Sequence, residues 1–309
     1  MIKNKEKITA KLKKALGEEK IKENVSLAPL TTFGIGGPAS WFVDVKNEKE
    51  ILEAVKISRQ MKLPYFLLGG GSNILVSDQG FPGLVIKIKN ENIAVSGKIV
   101  TAGAGTPLAR AVETAREKSL SGLECCIGIP GTVGGAICGN AGAREEWIGQ
   151  KVASVIIIDK ENKTVNLDNS DCQFSYRQSR FKNESQEVIL RVIFCLKRER
   201  KEIIEQKIKS FLEARGNQPK GKSAGSIFKN PTGDSAGRLI DQAGLKGKKI
   251  GQAQISEKHA NFIINTGGAK AEEVLKLIRL AQKTVKEKFN VNLELEIKLV
   301  GFNNETMKQ

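Results

Sequence analysis

Apolar positions recur along this chain at two spacings, one helical and one alternating. Ile8, Leu12 and Ala15 share a face over residues 3–16 and predict a peripheral amphipathic helix. Asn47 followed by Glu50 reads as a capping box opening a second helix, which runs toward Met61 and ends before Pro64. Thr106-Pro107 supplies an N-cap and a first-turn proline for a third, over 108–117, with Leu108, Ala111, Val112 and Ala115 inward. A charged helix over 198–215 points Ile203, Ile204, Ile208, Phe211 and Leu212 inward and ends at Gly216 and Pro219. A short helix over 236–243 stops at Gly244, and a long one over 271–289 buries Val274, Leu277, Ile278, Ala281 and Val285. Short apolar or alternating runs at 41–45, 65–68, 74–76, 84–88, 99–102, 155–159, 164–167, 188–196 and 263–264 read as strands. A last strand over 293–300 sets Leu293, Leu295, Ile297 and Leu299 on one face and Glu294, Glu296 and Lys298 on the other. The pattern predicts an α+β protein with a basic N-terminal segment over 1–24, a main domain over 25–197 and a C-terminal domain over 198–309.

The segment from Gly128 to Ala143 breaks this pattern. Six of its sixteen residues are glycine and none before Arg144 is charged. Each glycine costs a regular element roughly 0.5–1 kcal/mol relative to alanine, so a loop is expected. Ile129, Val133 and Ile137 would bury that loop, and a buried loop needs partners for its peptide N–H groups. A large cofactor would supply them; a tight structural turn fits equally well on composition alone. Gly69-Gly70-Gly71-Ser72-Asn73, after the strand at 65–68, has the composition of an anion nest. It is not G-x-G-x-x-G and no helical pattern follows, so a Rossmann reading fails and a tight hairpin stays open.

Composition narrows the class. A chain of 309 residues with 40% hydrophobic content supports two domains with real cores. No apolar run approaches the roughly 20 residues that span a bilayer, and no signal-peptide pattern follows Met1, so a cytoplasmic protein without membrane insertion is expected; a monomer is expected as well. Cys125, Cys126, Cys138, Cys172 and Cys195 form no C-x-x-C pair and point to neither a zinc site nor a disulfide framework. The single histidine, His259, argues against a metal site and against a Ser-His-Asp hydrolase. Lys plus Arg exceed Asp plus Glu by 50 − 34 = 16, a balance that attracts anions. Only 5% of residues are aromatic and no nucleic-acid motif appears, which favours small nucleotide-linked molecules over nucleic acid as partners.

Three polar stations could carry chemistry. Arg177 and Arg180 flank hydroxyls in Ser175-Tyr176-Arg177-Gln178-Ser179-Arg180, and arginine suits a carboxylate or phosphate; a basic surface loop reads the same way. Ser226 sits between small and apolar neighbours with Lys229 three residues on, and could donate a proton or only cap a turn. Glu294 and Glu296 share a strand face that would ordinarily be the solvent side.

Taken in order, Gly69-Gly70-Gly71-Ser72-Asn73, Gly128-Ile129-Pro130-Gly131-Thr132-Val133-Gly134-Gly135, Asn140-Ala141-Gly142-Ala143, Tyr176-Arg177-Gln178-Ser179, Ala224-Gly225-Ser226-Ile227-Phe228-Lys229-Asn230-Pro231 and Glu296-Ile297-Lys298-Leu299-Val300-Gly301 closely resemble the UDP-N-acetylenolpyruvoylglucosamine reductases. The resemblance runs from about Leu27 to Gly301 and is similar to the shorter subtype, which lacks a substrate-clamping tyrosine insertion. It implies a flavin domain of the vanillyl-alcohol-oxidase/p-cresol-methylhydroxylase type and a C-terminal α+β substrate domain. It implies non-covalent FAD, NADPH as hydride donor, and reduction of a UDP-linked enolpyruvyl sugar in peptidoglycan synthesis. Carried over, the cofactor residues are Gly69, Gly70, Gly71, Ser72, Asn73, Gly128, Pro130, Gly131, Thr132, Gly134, Gly135, Asn140, Ala141 and Gly142. Arg177 and Glu296 would polarise the substrate and Ser226 would donate the proton; Tyr176, Lys229, Asn230 and Lys246 would hold the rest of it. The chain departs from the family at Ile137, Cys138 and Gly139, at Arg144-Glu145 and at Lys298. The rivals are a flavin oxidase of the same fold acting on a small alcohol or sugar, and a basic nucleic-acid-binding protein.

Overall fold

The computed structural model describes residues 5–182 and 186–302. Lys3 and Asn4 of the first predicted helix lie outside the described residues. The chain divides into two compact units that interleave in sequence. One takes Met1–Ile21, Val43–Gly70 and Val85–Gly216; the other takes Lys22–Phe42, Gly71–Leu84 and Asn217–Gln309. This division differs from a single boundary at residue 197.

The first unit begins with helix α1 (Lys5–Leu16), which buries Leu12 and Leu16. Strand β1 (Lys22–Ser26) belongs to the second unit, and strand β2 (Pro38–Val45) begins in the second unit and ends in the first. Helix α2 (Glu48–Gln60) follows, with the Asn47 side chain accepting from the Glu50 amide at 2.9 Å. The Glu50 carboxylate accepts from the Lys46 amide, one residue before the expected partner, at 2.7 Å. Then come β3 (Tyr65–Leu68), β4 (Ile74–Val76, second unit) and β5 (Phe81–Ile88), which ends in the first unit.

The first unit contains a five-stranded antiparallel sheet. Its strands are β6 (Ile93–Ser96), β7 (Ile99–Gly103), β11 (Val152–Ile158), β12 (Thr164–Asp168) and β13 (Val188–Cys195), in the order β12-β11-β13-β7-β6. Between β7 and β11 lie α3 (Leu108–Glu117), β8 (Leu120–Ser121), α4 (Val133–Cys138) and the hairpin β9 (Gly142–Ala143) and β10 (Glu146–Trp147). Helix α3 buries the predicted Leu108, Ala111, Val112 and Ala115. Thr106 does not cap it: Pro107 stands at the N-cap with no side-chain cap, and the Thr106 hydroxyl donates to the Asn92 carbonyl at 3.1 Å.

Strand β14 (Lys197–Arg198) pairs with β8 and leads into α5 (Lys201–Ala214). This helix belongs to the first unit. Arg116 of α3 bridges Glu205 at 3.1 Å, and Lys207 donates to Ser121 Oγ at 3.0 Å. Only Ile204 and Phe211 of its predicted inward face are buried, and Leu212 is 47% exposed.

In the second unit, β1 pairs with the start of β2, and β4 pairs in parallel with β18 (Lys298–Val300). Helix α6 (Ala236–Gln242) precedes a small sheet of β15 (Lys249–Ile250), β16 (Ala253–Ile255) and β17 (Ile263–Asn265). Helix α7 (Ala271–Phe289) buries the predicted Val274, Leu277, Ile278, Ala281 and Val285. Their core includes Phe33, Ile35 and Leu75 from far earlier in the chain. The predicted strand over 293–300 is regular only at 298–300. Its earlier part forms an isolated bridge between Leu295 and Phe228.

Candidate active site

The glycine-rich segment is built as a turn, a short helix and a hairpin rather than as a loop. Thr132 caps α4, its hydroxyl accepting from the Gly135 amide at 3.3 Å. Gly134 lets α4 lie against the Gly103–Thr106 turn, because a Cβ there would sit 2.8 Å from the Ala104 Cβ. The Val133 and Gly134 amides donate to Thr106 and Ala104 carbonyls at 2.9 and 2.8 Å. The first turn of α4 therefore donates into the protein. Val133, Ala136 and Ile137 are buried while Gly128 and Pro130 are exposed, so the helix forms part of the core despite its glycines.

Two glycine turns of the first unit meet backbone to backbone. A Cβ on Gly70 would lie 2.5 Å from the Gly131 Cα, and one on Gly69 would lie 2.6 Å from Thr132 Oγ1. Among the described residues the amides of Gly70, Gly131 and Thr132 donate to no protein acceptor. Such a pair of turns, with amides left over, fits a large anionic ligand such as a dinucleotide. In the second unit, Gly71 is buried in the left-handed region at φ 65, and a Cβ there would meet the Leu30 carbonyl oxygen at 2.2 Å. Asn73 reaches the end of the chain: its Nδ2 donates to the Glu296 carbonyl at 3.2 Å, and its carbonyl accepts from the Lys298 amide at 3.0 Å.

The Arg177 station is also in the first unit. Ser175 and Gln178 exchange two backbone hydrogen bonds of 3.1 Å each, leaving Tyr176 and Arg177 at the tip of a tight turn. Arg177 holds φ 54, a conformation unusual for a side chain of that size and often kept at functional sites. Its Nη2 donates to the Gly142 carbonyl at 3.1 Å, and its ring neighbour is Tyr176 at 5.7 Å. Asn140, expected on the cofactor, instead has its side chain engaged by protein at both ends. Its Nδ2 donates to the Ser175 carbonyl at 2.8 Å and its Oδ1 accepts from the Gly149 amide at 3.0 Å. Asn140 is 1% exposed, so it ties the Arg177 turn to the glycine segment. Ala141 is likewise held by backbone bonds to Ala136 and Ile148.

Arg215 is a further basic group that periodicity did not single out. Its Cδ lies 3.3 Å from where a Gly128 side chain would begin. Burial pulls its guanidinium below the ordinary arginine value, and the charge of Arg177 pulls in the same direction. Two mutually repelling guanidiniums beside a glycine turn favour an anion. Arg144 leans away onto α5, over the Phe211 ring at 5.5 Å and onto Ser210 Oγ at 3.2 Å. Ile137 is buried and Cys138 Sγ contacts the Phe181 carbonyl at 3.4 Å, so these departures pack into the protein.

In the second unit, the structure brings Ser226 and Glu296 to one place. The Glu296 amide donates to the carbonyl of Ile227, next to Ser226, at 2.8 Å. Asn261, missed by sequence reasoning, braces this segment. It is 3% exposed, and its side-chain amide bonds both the N–H and the C=O of Phe228 at 2.9 and 2.8 Å. Glu294 and Glu296 do not share an environment: Glu294 is exposed and pairs with Lys229 at 3.1 Å, whereas Glu296 is half-buried. The bend at Ile297 ends the strict alternation. Asn230 Oδ1 accepts from the first amide of α6 at 3.1 Å, and Lys246 pairs with Asp241 at 2.8 Å. Among the described residues no cluster of His, Cys, Asp and Glu could hold a metal ion, and no helix is long and apolar enough to cross a membrane.

Comparison with known proteins places this architecture. Residues 39–168 match the profile of an FAD binding domain. The fold alone is shared with Phl p 4.0202, a glucose dehydrogenase, at 16% identity over 63% of this chain and 44% of that one, with a TM-score of 0.52. Profile and fold together define an FAD-binding domain with the vanillyl-alcohol-oxidase type of fold, in a chain that also carries an α+β C-terminal domain.

Residues 218–300 match the C-terminal domain of UDP-N-acetylenolpyruvoylglucosamine reductase. The reductase of Caldicellulosiruptor bescii is 45% identical over 280 residues, covering 89% of each chain. That of Caldanaerobacter subterraneus subsp. tengcongensis is 43% identical over 294 residues, 94% of this chain and 97% of its own. The crystal structure of the Thermus caldophilus enzyme is 39% identical, covers 91% of this chain and 99% of its own, and superposes with a TM-score of 0.80. This chain belongs to the UDP-N-acetylenolpyruvoylglucosamine reductase family.

Proposed function

We propose that this chain reduces the enolpyruvyl group of UDP-N-acetylglucosamine enolpyruvate to UDP-N-acetylmuramate, with FAD as cofactor and NADPH as electron donor. The observation that carries the reading is the joining of Ser226 to Glu296 through the Ile227 carbonyl, in a chain of this family. FAD, when bound, relays a hydride from the nicotinamide to the vinyl carbon of the substrate. The residues of the chain handle the charge and the proton.

Hydride arrival pushes negative charge onto the substrate carboxylate. Arg177, fixed at its turn tip, stabilises that charge more in the transition state than in the substrate, which is what raises a rate. The Ser226 hydroxyl delivers a proton to the neighbouring carbon. As a weak acid, it serves only against a strongly basic, enolate-like carbon. Glu296, half-buried on the segment bonded to Ile227, helps Arg177 polarise the substrate. Asn230 and Lys246 supply polar contacts for the UDP part, and Tyr176 and Lys229 are further substrate contacts. Within Gly69–Asn73 and Gly128–Gly142, the unused amides of Gly70, Gly131 and Thr132 would receive the cofactor, with Asn140 acting as a brace.

Stopped-flow measurement of the two half-reactions tests this. NADPH should bleach the flavin without oxygen, and the enolpyruvyl sugar should restore its colour. In Ser226→Ala the first step stays near the wild-type rate while the second falls about 10²–10³-fold, the usual loss for one transition-state donor. An equal fall in both steps would assign Ser226 a structural role. Colour restored by dioxygen and not by the sugar would indicate an oxidase.

A further inference from the structure

Lys87, on β5 in the first unit, points at the glycine turns rather than at solvent. Its ammonium donates to the carbonyl of Gly69. It forms no ion pair among the described residues. The nearby charges are Lys89, Asp44 and Glu91, and Asp44 is already paired with Lys89 at 2.9 Å. A lysine placed half-buried against a carbonyl, with no carboxylate of its own, is costly to the fold and calls for an explanation.

The peptide plane supplies one. In a trans peptide the carbonyl of one residue and the N–H of the next point in opposite directions. Anchoring the Gly69 carbonyl on Lys87 therefore fixes the direction of the Gly70 N–H, and that N–H has no protein acceptor among the described residues. Gly70 in turn abuts Gly131, whose N–H is also unused, so this plane borders both turns.

We propose that Lys87 is a positioning residue for the dinucleotide: it holds the Gly69–Gly70 peptide so that the Gly70 amide faces the anionic part of FAD, and its charge polarises that amide. The inference rests on the reading that these turns receive FAD. Burial, together with the Lys89 charge, pulls the Lys87 ammonium below the ordinary lysine value, and Asp44 and Glu91 pull it back. An anion at the far end of the peptide favours the charged form, so FAD binding takes up proton occupancy at Lys87. FAD affinity is then greatest while Lys87 is protonated and falls as pH rises through its value in the free protein.

The test measures FAD dissociation constants by flavin fluorescence on wild type, Lys87→Met, Lys87→Arg and Gly70→Ala, from neutral pH into the ordinary lysine range. Lys87→Met should weaken FAD about ten- to a hundredfold, the span of a charge-assisted hydrogen bond. Lys87→Arg keeps its charge, so its affinity relative to wild type should rise with pH. The alkaline titration of the flavin ring is common to both proteins and cancels in that ratio. Wild-type affinity in Lys87→Met, or a flat Lys87→Arg ratio, overturns the proposal. If Lys87→Met does not fold, the ratio alone decides. Gly70→Ala, with a Cβ 2.5 Å from Gly131, should weaken FAD in any case. Unchanged binding there would mean that the turns do not receive the cofactor, a failure distinct from that of Lys87.

Discussion

Asn140 shows how a residue expected at the cofactor can also tie the fold together. Its type and position next to Ala141-Gly142 pointed to the cofactor, but its side chain is consumed by Ser175 and Gly149. Asn140→Ala leaves both of those buried backbone groups unpaired, at roughly 1–3 kcal/mol each. The expected outcome is a clear drop in melting temperature, with flavin still bound to the folded fraction. Loss of flavin without loss of stability would return Asn140 to the cofactor. Lys87, Asn261 and Arg215 were not legible at all, because their partners lie 18 residues away or more and no local pattern marks them. His259 yields a prediction of the same kind. Burial lowers its pKa from 6.5, its Nδ1 accepts from the Asn261 amide at 3.2 Å, and its ring packs on Phe262. The unfolded chain therefore binds this proton more readily than the folded one. The stability contribution is fully present above the unfolded value of 6.5 and is lost as pH falls from there through the lower folded value. His259→Gln should flatten the melting temperature across that window. An unchanged slope would mean that other groups set it.

At the scale of elements, periodicity found what is made of periodic contacts. Helices α3 and α7 bury the residues their spacing predicted. Elements shaped by distant partners went astray. The glycines of α4 argued against a helix, yet close packing on Ala104 and the Thr132 cap outweigh their intrinsic cost. Strand β1, Lys-Glu-Asn-Val-Ser, has almost no apolar content and exists because it pairs with β2. The start of α7 is a related case. Its Ala271 and Glu272 amides donate to the two carboxylate oxygens of Asp78 at 2.9 and 3.2 Å, across more than 190 positions of sequence. Glu273 caps the same end locally, accepting from the Lys270 amide at 3.1 Å, but nothing in the local sequence announces the Asp78 contact. Asp78→Ala should cost about 1 kcal/mol, the usual worth of an N-cap, and Asp78→Asn should recover most of it. Chemical denaturation of the three proteins measures both. Equal stability of Asp78→Ala and wild type would show the contact to be idle.

At the scale of the molecule, a linear reading of domains fails because the second unit is assembled from three pieces of chain. A profile match over 218–300 suggests a self-contained C-terminal domain, as did the predicted boundary at 198. The structure gives that segment partners it cannot supply itself. Phe33, Ile35 and Leu75 share the core with α6 and α7. Thr32 Oγ1 donates to the Ser223 carbonyl at 2.7 Å, and Asn265 Nδ2 donates to the Phe33 carbonyl at 3.0 Å. Strand β18 has β4 as its pairing strand, and α7 is capped by Asp78. A fragment of 217–309 loses all of these together: an edge of β18 without a ladder, a helix start without its Asp78 acceptor, and a core opened on one side. Large aromatic truncations in cores alone cost about 3–5 kcal/mol, and a whole domain holds only about 5–15. The isolated fragment should therefore lack a cooperative thermal transition and show collapsed amide dispersion by NMR. The full chain should unfold with the Phe33 segment and α7 losing hydrogen-exchange protection together. A fragment that melts cooperatively would mean that the distant pieces decorate a domain already stable without them. In that case Ser226 and Glu296 would be set in place by the C-terminal segment alone, and the interleaving of the chain would have no part in building the site.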